Sequence, residues 1–460
     1  MPLHTKSTAI AISYQDKGRR LSHYAQSFSD SYGKSLEYPY LQMKVSETPE
    51  SPLPSNSESS SLMSPETIDT TLYVEDIAGT TTNEGIFNTI NILMGISILT
   101  LPYALHLTGI AVGVFLFVVY SLITNYTGKL LGKCMANTNL KTYSDIATAA
   151  LGKYGTLVSF VFILELMAAG VALLILVEDC VFVFIKIDGK IVKCLAFLVV
   201  TPFLWSNSLK LLSYTSLIGI ATFVYLLILL IADGLFYFEQ PGSLHHPMPI
   251  NIYPTDFWKV WMASGLIMAS YAGHGCTPSV YVDLKEKKQF SYLLNASYAV
   301  VFSVYICVAL CGYLMFGDKI QNEITINMSF ISGYSKIANN MLLGLMILGP
   351  LTKYPLVVRP ITTNLELMLK EYFPHSFIFW RNLCRTGTSI LILVISLLFP
   401  SFDRVMSIVG SLFSFIVSVI LPCIFALNLC RNSKAEKLLL MGLIAMSIPI
   451  SILGTIAALK

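Results

Sequence analysis

Two short stretches carry residue types that could hold a small zwitterion inside a membrane. In "NILMGISILTLPYAL" (Asn91–Leu105), Gly95, Ser97, Thr100 and Pro102 interrupt an apolar run, and in "YAGHGCTPSV" (Tyr271–Val280), Gly273, Gly275 and Pro278 do the same around His274. A continuous helix satisfies its own backbone and offers a ligand nothing polar, whereas an unwound turn frees N–H and C=O groups. Glycine tolerates the dihedrals of such a turn, and proline removes a donor and keeps the helix from closing up. Freed N–H groups at a half-helix start suit a carboxylate; freed carbonyls suit an ammonium or a bound cation. The candidate binding set is therefore Gly95, Ile96, Ser97 and Ile98 from the first stretch with Tyr271, Gly273, His274 and Gly275 from the second. A helix kink is the simpler account of either stretch taken singly.

Ionisable residues in apolar runs form a second group. A charge at mid-bilayer costs about 2.5–3.5 kcal/mol even on insertion scales, so each needs a partner or a task. Glu165 ("ILELMAAG") lies deep in a span and is the first candidate proton carrier; a structural hydrogen bond is the alternative. Asp179 lies about four turns further on, near the span's end, where water reaches. His274, with an unperturbed pKa of about 6.5, suits either proton sensing or a hydrogen bond to the ligand. Lys353 ("GPLTKYP") either snorkels to the interface or holds a fixed positive charge within the bundle.

The elements that position these residues follow from composition. Of 460 residues 54% are hydrophobic and 12% charged, against roughly 25% charged in soluble proteins. Apolar windows of about 20 residues recur from residue 84 to the end, giving eleven expected spans, the first near 84–107, the third near 154–185, the sixth near 256–281 and the eighth near 336–357. The chain reads as an all-α polytopic membrane domain, 84–460, behind a Ser-, Pro- and Tyr-rich disordered tail, 1–83. No apolar core follows a basic start, so no cleavable signal peptide is expected and the tail stays cytosolic. "RRLS" (Arg19–Ser22) in that tail suits a kinase that reads basic residues. Basic residues, among them Lys129, Lys133, Arg359, Arg381, Arg385 and Arg431, favour the tail's side. The bias predicts a cytosolic N-terminus and a luminal C-terminus, with Lys186, Lys190 and Lys193 running against it. The sequon at Asn327 falls in a luminal loop and is the one sequon, of those at Asn125, Asn295 and Asn327, placed where a glycan could be added. Nine scattered cysteines read as buried thiols, with no metal spacing and no cofactor implied, and a net charge of +3 gives no reason to expect nucleic acid.

Interrupted helices that open successive blocks of five spans are the mark of a LeuT-like 5+5 inverted repeat, in which a ligand binds near mid-membrane. By that analogy Asn91 and Thr352 frame a cation site, and the Lys353 ammonium stands in for the ion.

The first stretch also resembles the amino acid/auxin permease family, especially its vacuolar members, where Asn-Val-Leu-x-Gly-x-Gly-Leu-Leu-x-x-Pro recurs; Ser97 replaces the second glycine. "GSLHHPM", "YLMFGD", "EIT" and "YPLVVRPI" are similar to later landmarks of that family in the same order. The resemblance covers about residues 80–458. It implies a secondary transporter of neutral L-amino acids in a vacuolar or lysosome-like membrane, coupled to protons, with sodium open as the coupling ion. Three alternatives are an exporter from the organelle, a sensor signalling through the tail, and a membrane-embedded acyltransferase using His274. The enzyme reading does not need the matching break at Gly95–Pro102.

Overall fold

The computed structural model describes residues 79–205, 209–372, 376–399 and 401–460, which are helical apart from the connections and an isolated parallel bridge between Thr80 and Leu284. The expected tail falls outside the described residues up to position 78, and Arg19–Ser22 with it. Helix α1 (Thr82–Leu93) starts on a capping box. The Thr81 hydroxyl accepts from the Glu84 amide at 3.4 Å and the Glu84 carboxylate from the Thr81 amide at 2.8 Å, satisfying two donors that a helix start leaves bare. Met94 and Gly95 then leave the helical conformation, and a 3-10 turn, Ile96–Thr100, leads into α2 (Leu101–Thr138).

Helix α2 turns sharply at Gly109, whose φ is +68°; a Cβ there would lie 2.7 Å from the Ile252 carbonyl oxygen. The Asn251 and Ile252 carbonyls accept from the Ile110 and Ala111 amides at 3.1 and 3.0 Å. Both the dihedral and the close backbone approach require glycine. The chain continues through α3 (Tyr143–Leu151), α4 (Gly155–Phe184), α5 (Gly189–Trp205), α6 (Leu209–Phe236), α7 (Phe257–Ser270), α8 (Thr277–Asp283) and α9 (Phe290–Phe316). It then runs through α10 (Ile324–Phe330), α11 (Lys336–Tyr372), α12 (Phe377–Leu398) and α13 (Phe402–Ile408). Helix α13 winds on through π-helical turns, Val409–Ser414 and Ile416–Ile420, into α14 (Leu421–Leu429), and α15 (Lys434–Leu459) closes the chain.

This is a multi-pass membrane protein. Eight helical stretches among the described residues are long and apolar enough to cross a bilayer. Of the eleven expected spans, the first and sixth fall short because each is split, and the fourth because the described part of α5, up to Trp205, has 17 residues. Phe115, Leu122, Phe160, Phe203, Leu391 and Met441 are exposed, as a surface facing lipid tails allows. Inside, α9 packs along α2, α4 along α11, and α7 lies between α2, the π-helical turns and α15.

The ends of the bundle hold buried ion pairs. Where α4 runs into α5, Lys193 pairs with Glu178 at 2.7 Å and donates to the Ser396 carbonyl at 3.0 Å. One of the three lysines that oppose the charge bias is thus neutralised inside the protein. At the other end Arg385 grips Glu366 through Nε and Nη2 at 2.7 and 2.8 Å and reaches the Leu204 carbonyl at 2.7 Å. Two expectations need correction here. Asn327 is 6% exposed; its side chain accepts from the Gln321 amide at 2.8 Å and donates to the Lys319 carbonyl at 2.9 Å, so the sequon's nitrogen is engaged and shielded. The cysteines are free thiols, but of the nine only Cys134, Cys180, Cys276 and Cys423 are buried; Cys307, Cys311, Cys384 and Cys430 are half-buried and Cys194 is exposed.

Candidate functional site

Both interruptions expected from the glycines and prolines are present, and they touch. Helix α1 stops at Leu93 and α7 at Ser270, with residues 271–276 outside any helix before Pro278 helps start α8. A Cβ on Gly273 would lie 3.0 Å from the Leu93 side chain and 3.3 Å from Ile92, so the two breaks meet closely there. At Gly95 the same position is open, with Ser97 Oγ 3.9 Å away. Ser97 and Ile98 are buried, while Gly95 and Ile96 are half-buried.

The link between the breaks comes from α9. The Tyr305 hydroxyl lies 2.7 Å from the Leu93 carbonyl oxygen and 2.9 Å from that of Ser270. Each carbonyl ends a half-helix and carries the partial negative charge of that end. One O–H proton serves both, because a phenol has a single donor. Tyr271 is fully buried, stands edge-on to the Tyr305 ring at 5.6 Å and stacks on Tyr298 at 6.2 Å. Its own hydroxyl donates to the Phe117 carbonyl of α2 at 3.3 Å. Aromatic side chains therefore wall the junction on the α2 and α9 sides.

His274 faces α2. Its Nε2 lies 3.0 Å from the Thr124 carbonyl and 3.0 Å from Thr127 Oγ1. The Thr127 hydroxyl in turn points to the Ile123 and Thr124 carbonyls at 3.0 and 3.1 Å. The carbonyl assigns the ring proton to Nε2, and buried Nδ1 has no partner among the described residues. A second proton on Nδ1 would create a buried donor without an acceptor. The geometry describes a neutral imidazole that fixes the second break to α2.

Glu165, half-buried on α4, lies near Tyr143 of α3, and no described side chain donates to its carboxylate. Asn91 lies on the last turn of α1. The Thr352 hydroxyl donates within its own helix, to the Gly349 carbonyl at 2.9 Å. Lys353 reaches toward α6, its Nζ 5.3 Å from the centre of the Phe223 ring and 2.8 Å from where a Cβ on Gly219 would be. The ammonium is thus directed to α6, and among the described residues no contact carries it to the first break.

A small cavity lies beside the junction, lined by Thr89, Leu93, Gly273, Thr277 and Tyr298 among others, with room of ≈ 10 Å³, about one water molecule. The junction is shut. No group of three or more His, Cys, Asp or Glu side chains among the described residues could hold a metal ion. Tyr298, Tyr305 and Thr124 stand outside the set of residues expected from the sequence. The two tyrosines stand two helical turns apart on one face of α9.

Paired broken helices whose end carbonyls share the Tyr305 hydroxyl, with no acidic or basic side chain within 92–102, define a carrier-type membrane protein. The chain belongs to the transmembrane amino acid transporter protein family, whose model matches residues 78–460. Among its relatives in Arabidopsis thaliana, amino acid transporter AVT1D is 29% identical over 95% of this chain and 80% of its own length. Amino acid transporter AVT1I is 32% identical over 81% of this chain and 93% of its own. The crystal structure of MhsT in complex with L-phenylalanine aligns with a TM-score of 0.49 at 11% identity, covering 81% of this chain and 98% of that one. The relatives are transporters and not enzymes, which removes the acyltransferase alternative.

Proposed function

We propose that the protein moves neutral L-amino acids across a vacuolar or lysosome-like membrane by alternating access, exchanging them for luminal protons. The single observation that carries this reading is the Tyr305 bridge between the Leu93 and Ser270 carbonyls. It puts two half-helix ends at one point where an α-ammonium finds acceptors, and the amides freed beyond Gly95 suit the α-carboxylate. Neither break carries an Asp, Glu, Lys or Arg side chain, and His274 is engaged with α2. A ligand there meets no fixed charge of either sign to match a charged side chain, which favours neutral amino acids.

Glu165 is the proton carrier in this scheme, since no described side chain compensates its charge and the His274 ring has no acceptor for a second proton. The N-terminus is cytosolic and the C-terminus luminal. The Lys193–Glu178 pair supports that orientation by accounting for one exception to the charge bias. The test uses purified protein in acid-loaded liposomes. Wild type releases protons when a neutral amino acid is added outside. Glu165→Gln removes this release and the gradient's drive on uptake while preserving exchange of labelled for unlabelled amino acid. Gradient-driven uptake at the wild-type rate in that variant would overturn the assignment, and export in place of uptake would reverse the direction.

A further inference from the structure

Glu323 stands at the start of the short helix α10, outside the membrane-crossing stretches, yet it is 0% exposed. Helix α10 packs on α4, on α11 and on the 3-10 turn Ile96–Thr100 of the first break. The Glu323 carboxyl faces that of Asp179 on α4 within hydrogen-bonding reach. Neither Glu323 oxygen, nor Oδ2 of Asp179, has a donor among the described residues. Two ionised carboxylates are acceptors only, so a hydrogen bond between them requires a proton on one.

The neighbours do not supply another solution. Glu178 and Cys180 adjoin Asp179 on α4; Lys193 of α5, the nearest cation, is taken by Glu178 and the Ser396 carbonyl. Asp403 in the first turn of α13 adds negative charge and accepts from Asn322 at 3.3 Å. Lys336 at the start of α11 and Asp318 and Lys319 before α10 are exposed, and the 3-10 turn has no titratable side chain. Burial first, and the Asp179 carboxyl next, hold the Glu323 carboxyl well above the usual carboxylate range.

We propose that Asp179 and Glu323 bind one proton between them, and that this proton latches α10 onto α4 and closes the face of the bundle where α4 ends. The sign follows from linkage. A carboxyl held above its free value favours the closed contact at low pH, and that preference is lost as pH rises through the closed-state value. Above it, two like charges face each other and α10 lifts away. In the proposed orientation this face is luminal, so an acidic lumen shuts it. The latch stands whether or not Glu165 carries the coupling proton, because it is defined without substrate or flux.

Hydrogen exchange of the α10 amides, 324–330, in the purified full chain without substrate tests it. Expressed as protection relative to the intrinsic rate, the wild type loses about tenfold per pH unit between the free and the closed-state values of the pair and levels off above them. In Glu323→Gln the amide donates to Asp179 at every pH, so protection stays and the slope vanishes; Asp179→Asn gives the same flat profile. A flat wild-type profile overturns the proposal, as does a wild-type slope surviving in either variant. Failure of Glu165→Gln to uncouple flux would leave these profiles unchanged.

Discussion

Tyr305→Phe is expected to cut amino acid exchange in liposomes by tenfold or more while leaving the protein folded. The substitution keeps the ring that meets Tyr271 edge-on at 5.6 Å and removes only the hydroxyl. The Leu93 and Ser270 carbonyls, now 2.7 and 2.9 Å from that oxygen, lose their common donor. A buried acceptor without a partner costs about 1–3 kcal/mol, and about 1.4 kcal/mol corresponds to tenfold in rate. The loss falls on the relative placement of α1 and α7, which is what the proposed site depends on. Exchange of labelled amino acid and the melting temperature in detergent are read together. Wild-type exchange in a folded variant would show that the bridge has no part in transport.

Gly410→Ala is expected to have the largest effect on stability. A Cβ at this position would lie 1.7 Å from the Gly265 carbonyl oxygen and 2.7 Å from the Ala269 nitrogen, both backbone atoms that cannot rotate away. Helix α7 and the π-helical turn after α13 must then separate along a contact that also includes the Ser407 hydroxyl on the Met262 carbonyl at 2.8 Å. Overpacking typically costs about 1–3 kcal/mol and more where rigid atoms collide. Gly387→Ala on α12 is the control, because nothing lies within 4 Å of its Cβ position. Equal melting temperatures for the two variants would refute the close approach of α7 and the π-helical turn.

The parts of this architecture that were legible beforehand are those that local chemistry enforces. Gly95 with Pro102, and Gly273 with Pro278, mark the breaks because no side-chain packing is needed to know that these residues resist a regular helix. Long apolar windows marked the crossings for the same reason. What escaped depended on which surfaces meet. Tyr305 is one aromatic among many in the sequence until α9 is seen to lie along α2 and α1. Glu323 stands in a connecting segment, where a carboxylate is expected in water; its burial comes from α10 folding back on α4. Thr352 and Lys353 are adjacent in the chain, yet one bonds inside α11 and the other reaches α6, a divergence that only side-chain directions reveal.

The cavity beside the junction has kinetic consequences. A space of ≈ 10 Å³ admits about one water molecule, so this cavity has no room for an amino acid at the proposed site. In the proposed cycle, binding at the junction waits for this conformation to open. The apparent on-rate then saturates as ligand is raised, and its plateau reports the protein's own opening frequency rather than diffusion.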